Sequence, residues 1–564
     1  MSIQLGMPEL RGVLVPALKA LSLAAAGLSA VVTTSIAYKL FCRLARIYTS
    51  PLRFLPGPES RSWLSGSFDT ASNLEPIAQL EGEECIETYG DTFSYRGFLN
   101  SFEVFTADTK ALQYILSNQT KYPKPDELNY TLGGIAGDGL LVVEGAKHRQ
   151  QRRVMNPAFG PAQIRELTET MVEKSIELRD VLLDRVKGDG SPPQVKVDVY
   201  PWLNKVTLDI IGLAGFDYSF DALHASEDHP NELNAAVAKV FSFDPESLIM
   251  HLQLFFPILR HLPTASQRER ARAMTTMRRI GNGLIAQKKA AVLAEHRDAK
   301  TVGKEHVQGR DLLSLLIRAN MATDLPESYR MEDKDVLSQV PTFLVAGHET
   351  TSTGTTWALY ALACFSRVQT KLRDEVLSHP SDNPTMDEVN SLPYLDAVVR
   401  ESLRLYPPVP ATSRVAAEDD VIPLEEPVTG RDGVTRKEFR ISKGDWLTIP
   451  IRHINKSTKL WGDDALEFKP ERWTNVPEAA HAIPSVFSNL FTFIAGPHAC
   501  IGYRFAVIEM KVLLFTLIRS FEFRLAFPPD DLYIKSYIVS RPFLRSHTGG
   551  ATMPLYIRAV KRGV

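Results

Sequence analysis

Long stretches of this chain place apolar residues at helical spacing, and the polar residues that interrupt them are the informative positions. From Asp335 through Ala363 the apolar period is that of a helix, yet Ala346-Gly347-His348-Glu349-Thr350-Thr351 breaks it with a polar cluster. Buried polar groups need partners or a purpose. Thr350 falls one turn after Ala346, so its hydroxyl can compete for that residue's carbonyl and open the helix. Pro341, inside the same run, predicts a kink at the carbonyl of Leu337. Pro393 to Leu405 reads as a helix stopped by Pro407 and Pro408, with Glu401 and Arg404 on one face between apolar neighbours. Tyr503 to Leu514 reads as a largely buried helix. Periodicity by itself says only that helices dominate.

At the amino end, Ala20 to Tyr38 is uncharged for 19 residues, a helix of about 28 Å, close to the hydrocarbon thickness of a bilayer. Val13 to Leu18 extends it if Lys19 snorkels. Lys39, Arg43, Arg46 and Arg53 follow, against Glu9, Arg11 and Lys19 before it, and the basic excess puts the body of the protein in the cytosol. A cleaved signal peptide is the alternative. Three sequons, Asn118-Gln-Thr120, Asn129-Tyr-Thr131 and Asn455-Lys-Ser457, discriminate, because a lumenal body would offer them for glycosylation. Leu55-Pro56-Gly57-Pro58 is a stiff turn.

The 564 residues exceed one average domain, but no linker, repeat or low-complexity tract divides them. The expected organisation is an N-terminal membrane anchor with its basic flank over 1–50, a proline-rich hinge over 51–58, and one domain over 59–564. A net charge of −2 speaks against nucleic acid as a partner. Four cysteines, widely spaced and without paired C-x-x-C spacing, fit neither a disulfide framework nor a zinc site and imply a reducing compartment.

One of those cysteines stands apart. Phe493-Ile-Ala-Gly496-Pro-His498-Ala-Cys500-Ile-Gly502 sets it between close glycines, just before the helix at Tyr503. A thiolate bound to iron pushes electron density toward dioxygen and favours O–O cleavage. Gly496 and Gly502 let the backbone turn tightly, lie close to a flat macrocycle and aim amides at the sulfur, Phe493 can roof the loop, and the helix dipole favours an anion. A buried, inert cysteine is the other reading.

This segment, followed by Ala506, Glu509 and Lys511, resembles the signature of the cytochrome P450 superfamily, the haem-thiolate monooxygenases, in its microsomal, membrane-anchored eukaryotic form. Ala346 to Thr351 is similar to the family's distal-helix motif, which implies that Thr350 donates a proton to bound dioxygen and Glu349 resupplies it through waters. Glu401 and Arg404 look like the family's Glu-x-x-Arg pair, and Pro470-Glu471-Arg472-Trp473 resembles the segment whose arginine completes that triad. Arg414 matches a basic residue that reaches a haem propionate. His148 to Arg152 resembles a Trp-x-x-x-Arg helix with His148 in place of tryptophan, making Arg152 and His498 further propionate partners. The dense cations Lys147, Arg149, Arg152 and Arg153 are either a solvated helix face or a dock for an acidic electron donor.

The resemblance implies a mainly α fold with a small β component behind a single transmembrane helix, and haem b with Cys500 as axial ligand. It also implies a single-pass protein of the endoplasmic reticulum membrane, its catalytic domain cytosolic, with a place in secondary metabolism. The partners are then NADPH-cytochrome P450 reductase, with cytochrome b5 as a second possible donor, a lipid bilayer, and a lipophilic small molecule. Thr342, Phe343, Ala346, Val409, Ala411 and Thr412 are the candidate lining of a mostly apolar substrate pocket. A reductase-independent peroxide rearrangement and a non-enzymatic haem carrier are the rival functions.

Overall fold

The computed structural model describes residues 44–68, 79–186, 194–225, 231–241, 257–298, 311–321 and 330–560, apart from isolated positions, together with scattered residues between 22 and 41 and at 249 and 253. Helices dominate. Those that carry the site are, in chain order, α1 (Gly145–Met155), α2 (Pro161–Val186), α3 (Val199–Phe216), α4 (Gln339–Cys364), α5 (Pro393–Leu405) and α6 (Tyr503–Ser520). α4 and α6 are buried along most of their length, and α3, α5 and α6 pack against α4.

The strands are short and peripheral: β1 (Thr92–Arg96), β2 (Phe102–Thr106), β3 (Val195–Asp198), β4 (Thr412–Val415), β5 (Asp420–Thr429), β6 (Thr435–Ile441), β7 (Trp446–Ile449), β8 (Phe521–Leu525), β9 (Leu532–Ser536), β10 (Ser540–Leu544) and β11 (Pro554–Ala559). β1-β2-β7-β4 form one sheet, in which only the β2 and β7 pair is parallel; β3-β11-β8 form a second, and β5-β6 and β9-β10 are hairpins.

Local sequence explains the helix limits. α5 begins with Pro393 in its first turn, where no amide donor is needed. Asp396 near its start and Arg404 in its last turn both complement the dipole, and the chain leaves the helix at Tyr406, before Pro407. The expected unbroken helix from Asp335 is instead two. A short helix, Asp333–Leu337, ends at Ser338, and α4 starts afresh at Gln339. Pro341 lies in the first turn of α4, and the break at Ser338 directly follows Leu337, where the kink was expected.

Seven of the 19 residues of the expected transmembrane stretch 20–38 lie outside the described residues, and the others are helical. Among the described residues, no helix is long and apolar enough to cross a membrane. The proline-rich segment holds a 3-10 turn, Pro51–Phe54, capped by the Ser50 hydroxyl, with Leu52 and Leu55 buried.

Candidate functional site

Cys500 stands two residues before α6, on a loop whose shape its neighbours enforce. The Cys500 amide donates to the Phe493 carbonyl at 3.0 Å, closing the loop. Phe493 is buried beneath it, its ring 5.7 Å from Phe487 and 6.0 Å from Tyr503. Gly496 is required twice, by a φ of +73° and because a Cβ would stand 2.6 Å from the Leu116 carbonyl oxygen. Gly502 caps α6 without a side-chain cap, and its amide bonds the Cys500 sulfur. Cys500 keeps open surface although it lies deep in the fold. Burial pushes its thiol up, while the Gly502 amide and Arg152 pull the other way.

α4 and α6 meet where Gly354 admits Met510 and where Thr351 meets Glu509. N-terminal to that contact α4 leaves Ala346 exposed and Gly347 and Thr350 half-covered, in a helix otherwise buried. A side chain at Gly347 would run into Ile211 of α3, with a Cβ only 2.9 Å from its methyl carbon. The Thr350 hydroxyl donates to the Ala346 carbonyl at 2.7 Å, as the one-turn spacing predicts. Glu349 faces away, toward Arg541 of β10, whose Nε and Nη2 both reach its carboxylate. Burial raises Glu349, and the Arg541 guanidinium opposes that rise. Nothing in the sequence announces Arg541, which comes from a strand nearly two hundred residues downstream.

A cationic rim surrounds the cysteine loop. Arg152 turns inward, giving Nη1 to the Ala499 carbonyl and Nε to Asn156 Oδ1 at 2.9 Å. Arg414 is buried, its Nη1 on the Thr412 hydroxyl and the Ser413 carbonyl, and burial lowers its pKa to about 10. His148 lies against His498, ring centroids 3.9 Å apart, and burial with the nearby cations brings His148 to about 3. Two residues that sequence reasoning missed complete the rim: Lys124 Nζ is 2.6 Å from Glu144 Oε1, and His498 Nε2 is 3.2 Å from Glu144 Oε2. Burial pushes Glu144 up, but His498 and Lys124 outweigh it and hold the carboxyl at about 2. Of the four candidate docking cations, Arg149 and Arg153 are exposed, whereas Lys147 pairs with Asp335 at 2.7 Å and Arg152 bonds the Ala499 carbonyl.

Behind the cysteine loop, Glu401 is wholly buried and saturated. Arg404 binds it through Nε at 3.0 Å and Nη2 at 2.8 Å, and Arg472 Nε reaches it at 2.9 Å. The Lys469 amide at 2.9 Å and the Trp473 indole at 3.1 Å add donors that the motif did not reveal. Arg404 Nη1 bonds the Asn455 carbonyl at 2.9 Å, and the Asn455 side chain bonds the Phe491 amide and Thr492 hydroxyl, each at 2.8 Å. A continuous path thus joins Glu401 to the loop that presents Cys500.

The six candidate lining residues divide. Ala346, Val409, Ala411 and Thr412 keep open surface. Thr342 is buried with its hydroxyl on the Ala136 and Ser338 carbonyls, each at 3.0 Å, and Phe343 packs edge-on to Phe159 at 5.6 Å. Both are thus held by neighbouring elements.

The donor set fits a haem. A single thiol carries an amide on its sulfur, the residues around it include cations suited to two carboxylates, and His148 Nδ1 is a buried nitrogen without a hydrogen-bond partner. Together these suit the haem-thiolate oxygenases. The cytochrome P450 family model matches residues 56–542. Over 524 residues the chain is 50% identical to cytochrome P450 monooxygenase 205 of Postia placenta, spanning 92% of this chain and 95% of that one. It is also 50% identical over 526 residues to monooxygenase 128 of the same fungus, spanning 93% and 95%. Cytochrome P450 monooxygenase claO of Ampulloclitocybe clavipes is 36% identical over 540 residues, spanning 93% and 96%. The chain belongs to the cytochrome P450 family and is a monooxygenase, of the class that holds haem b through a cysteine thiolate.

Proposed function

We propose that this protein is a membrane-bound monooxygenase of the endoplasmic reticulum, with residues 1–50 as a single-pass anchor and residues 59–564 as a cytosolic catalytic domain. It oxidises a small lipophilic substrate, most simply by hydroxylation, using dioxygen and two electrons from an NADPH-dependent reductase. The observation that carries this reading is the Cys500 sulfur, held by the Gly502 amide at the head of α6 on a loop that only glycine at position 496 allows.

Bound haem supplies the dioxygen chemistry. Cys500 would hold the iron through its sulfur, and the Gly502 amide with the α6 dipole favours its thiolate. Arg152, Arg414 and His498, with Lys124, would hold the two propionates, Arg152 and Arg414 because a guanidinium suits a carboxylate. Thr350, half-covered beside Ala346, is the proton donor at the distal face. Glu349 resupplies it once its carboxylate leaves Arg541, through water, since adjacent helical residues do not share a face. Ala346, Val409 and Ala411 present an apolar wall, which suits a terpenoid, sterol or fatty acid.

Dithionite-reduced enzyme under carbon monoxide is expected to show the long-wavelength Soret band of thiolate-ligated haem, and Cys500→Ser to lack it. Turnover of a lipophilic substrate is expected only with reductase and NADPH. A haem-replete, folded wild-type preparation without that band would overturn the assignment.

A further inference from the structure

Asp209 is a charged side chain buried within α3, only 1% exposed, and its carboxylate is directed at the turn that follows the helix. Its Oδ1 accepts from the Ala222 amide at 2.7 Å and its Oδ2 from the Leu223 amide at 3.1 Å. Phe220, Ala222 and Leu223 are themselves buried, so the turn from Asp221 to His224 is pinned from beneath. Asp221 sits at φ +51°, a left-handed conformation that aspartate tolerates better than most residues. The His224 amide closes the turn on the Asp221 carbonyl at 3.3 Å. Two metal-ligating side chains, both exposed, are thereby carried on one fixed turn.

Glu177 of α2 meets them from a point in the chain 47 residues before His224. Its Oε1 lies 2.8 Å from His224 Nε2, while its Oε2 is held by Lys174 Nζ at 2.7 Å. With a carboxylate oxygen of Asp221, the three donor atoms all lie within 4.8 Å of one another. Exposed carboxylates that gather by themselves are ordinary, but here a ring nitrogen is brought up to two of them, from two separate elements.

We propose that Glu177, Asp221 and His224 bind a divalent transition-metal ion of the zinc type, which ties α2 to the turn after α3. None of the three takes part in the haem site. One imidazole with two carboxylates lies within the donor range of zinc and leaves a fourth position for water, whereas calcium and magnesium call for six or more ligands, predominantly oxygen. Tetrahedral bonds of about 2.0–2.2 Å put neighbouring donors about 3.4 Å apart, so the ion fits between His224 and Glu177 once the ring withdraws by about half an ångström. The half-exposed His224 side chain has room for that shift. The proton of the His224 and Glu177 hydrogen bond then leaves to solvent. Lys174 keeps Glu177 Oε2 and orients the carboxylate from behind.

The test is equilibrium dialysis of full-length, haem-loaded, chelator-washed enzyme against micromolar zinc chloride, with zinc and iron read together by mass spectrometry. Wild type is expected to saturate at one zinc per haem iron, and zinc is expected to raise its thermal midpoint by several degrees, as for any ligand that prefers the folded chain. His224→Ala and Asp221→Asn are each expected to weaken binding by roughly tenfold or more and to remove that shift, with the carbon monoxide spectrum unchanged. Asp221→Asn retains a residue suited to the left-handed conformation, so a loss there is a loss of the ligand and not of the turn. His547→Ala, at an exposed histidine elsewhere, is expected to bind as wild type does. Absence of saturable zinc from wild type, or binding that persists in both site variants, would overturn the site. Zinc bound one to one without any rise in midpoint would overturn the tie between the two elements.

Discussion

Asp445 shows how a single buried carboxyl leaves its mark on pH dependence. It is almost fully buried at the turn before β7, and burial raises its pKa to about 6, with the Ser442 amide and Arg46 opposing and Asp419 adding to the rise. Because the folded value lies above the unfolded one, its relative contribution is complete below about pH 4 and is lost as pH climbs through about 6. Asp445→Asn keeps an oxygen for the Ser442 amide and removes the titration. The variant is expected to gain on wild type across that window by up to about 3 kcal/mol, read from denaturation midpoints between pH 4 and 7. Parallel pH profiles for the two proteins would refute the assignment. Cys500, Glu401 and Arg404 are likewise single residues, yet their spacing made them visible in the sequence. Arg541, Lys124 and Glu144 were not, because each enters the site from a distant segment with no motif of its own.

Among the elements, α4 departs most instructively from its sequence pattern. Apolar period alone runs unbroken from Asp335 and makes Pro341 an interior proline, whereas the chain restarts at Gln339 and gives the proline a first-turn place. Gln339 explains the restart: its buried side chain donates to the Asp335 carbonyl at 2.8 Å and to Gln151 of α1 at 3.2 Å, and accepts from the Leu140 amide at 3.0 Å. Pro341→Ala is therefore expected to shift the thermal midpoint by only a degree or two, within about 0.5 kcal/mol, since a first turn tolerates proline. A gain of several degrees would show that the proline does strain the helix. α5 and α6 match their patterns closely, with α6 running to Ser520, because buried apolar residues continue past Leu514.

At the scale of the whole molecule, Glu401 is the point through which α5, the Pro470–Thr474 turn and the cysteine loop are joined. Glu401→Ala leaves the buried Arg404 without a carboxylate and Arg472 with Asp464 alone, a loss of roughly 3–5 kcal/mol. The expected product is misfolded and haem-free, and normal haem content in a pyridine haemochromogen assay would refute that role. On the proposed membrane-bound reading, the sequons test orientation. Asn455 is fully buried and bonded, so Asn118 and Asn129 carry the test. Neither is expected to bear glycan, and an endoglycosidase-sensitive mass shift would place the domain in the lumen. The sequence alone determined the family, the thiolate loop, the Glu-x-x-Arg triad and the helical character, because these rest on short spacings that local geometry enforces. Only the tertiary structure decided that Glu349 answers to Arg541 and that the Thr342 hydroxyl bonds the Ala136 carbonyl. Those pairings join residues far apart in the chain, and nothing in local spacing selects one distant partner over another.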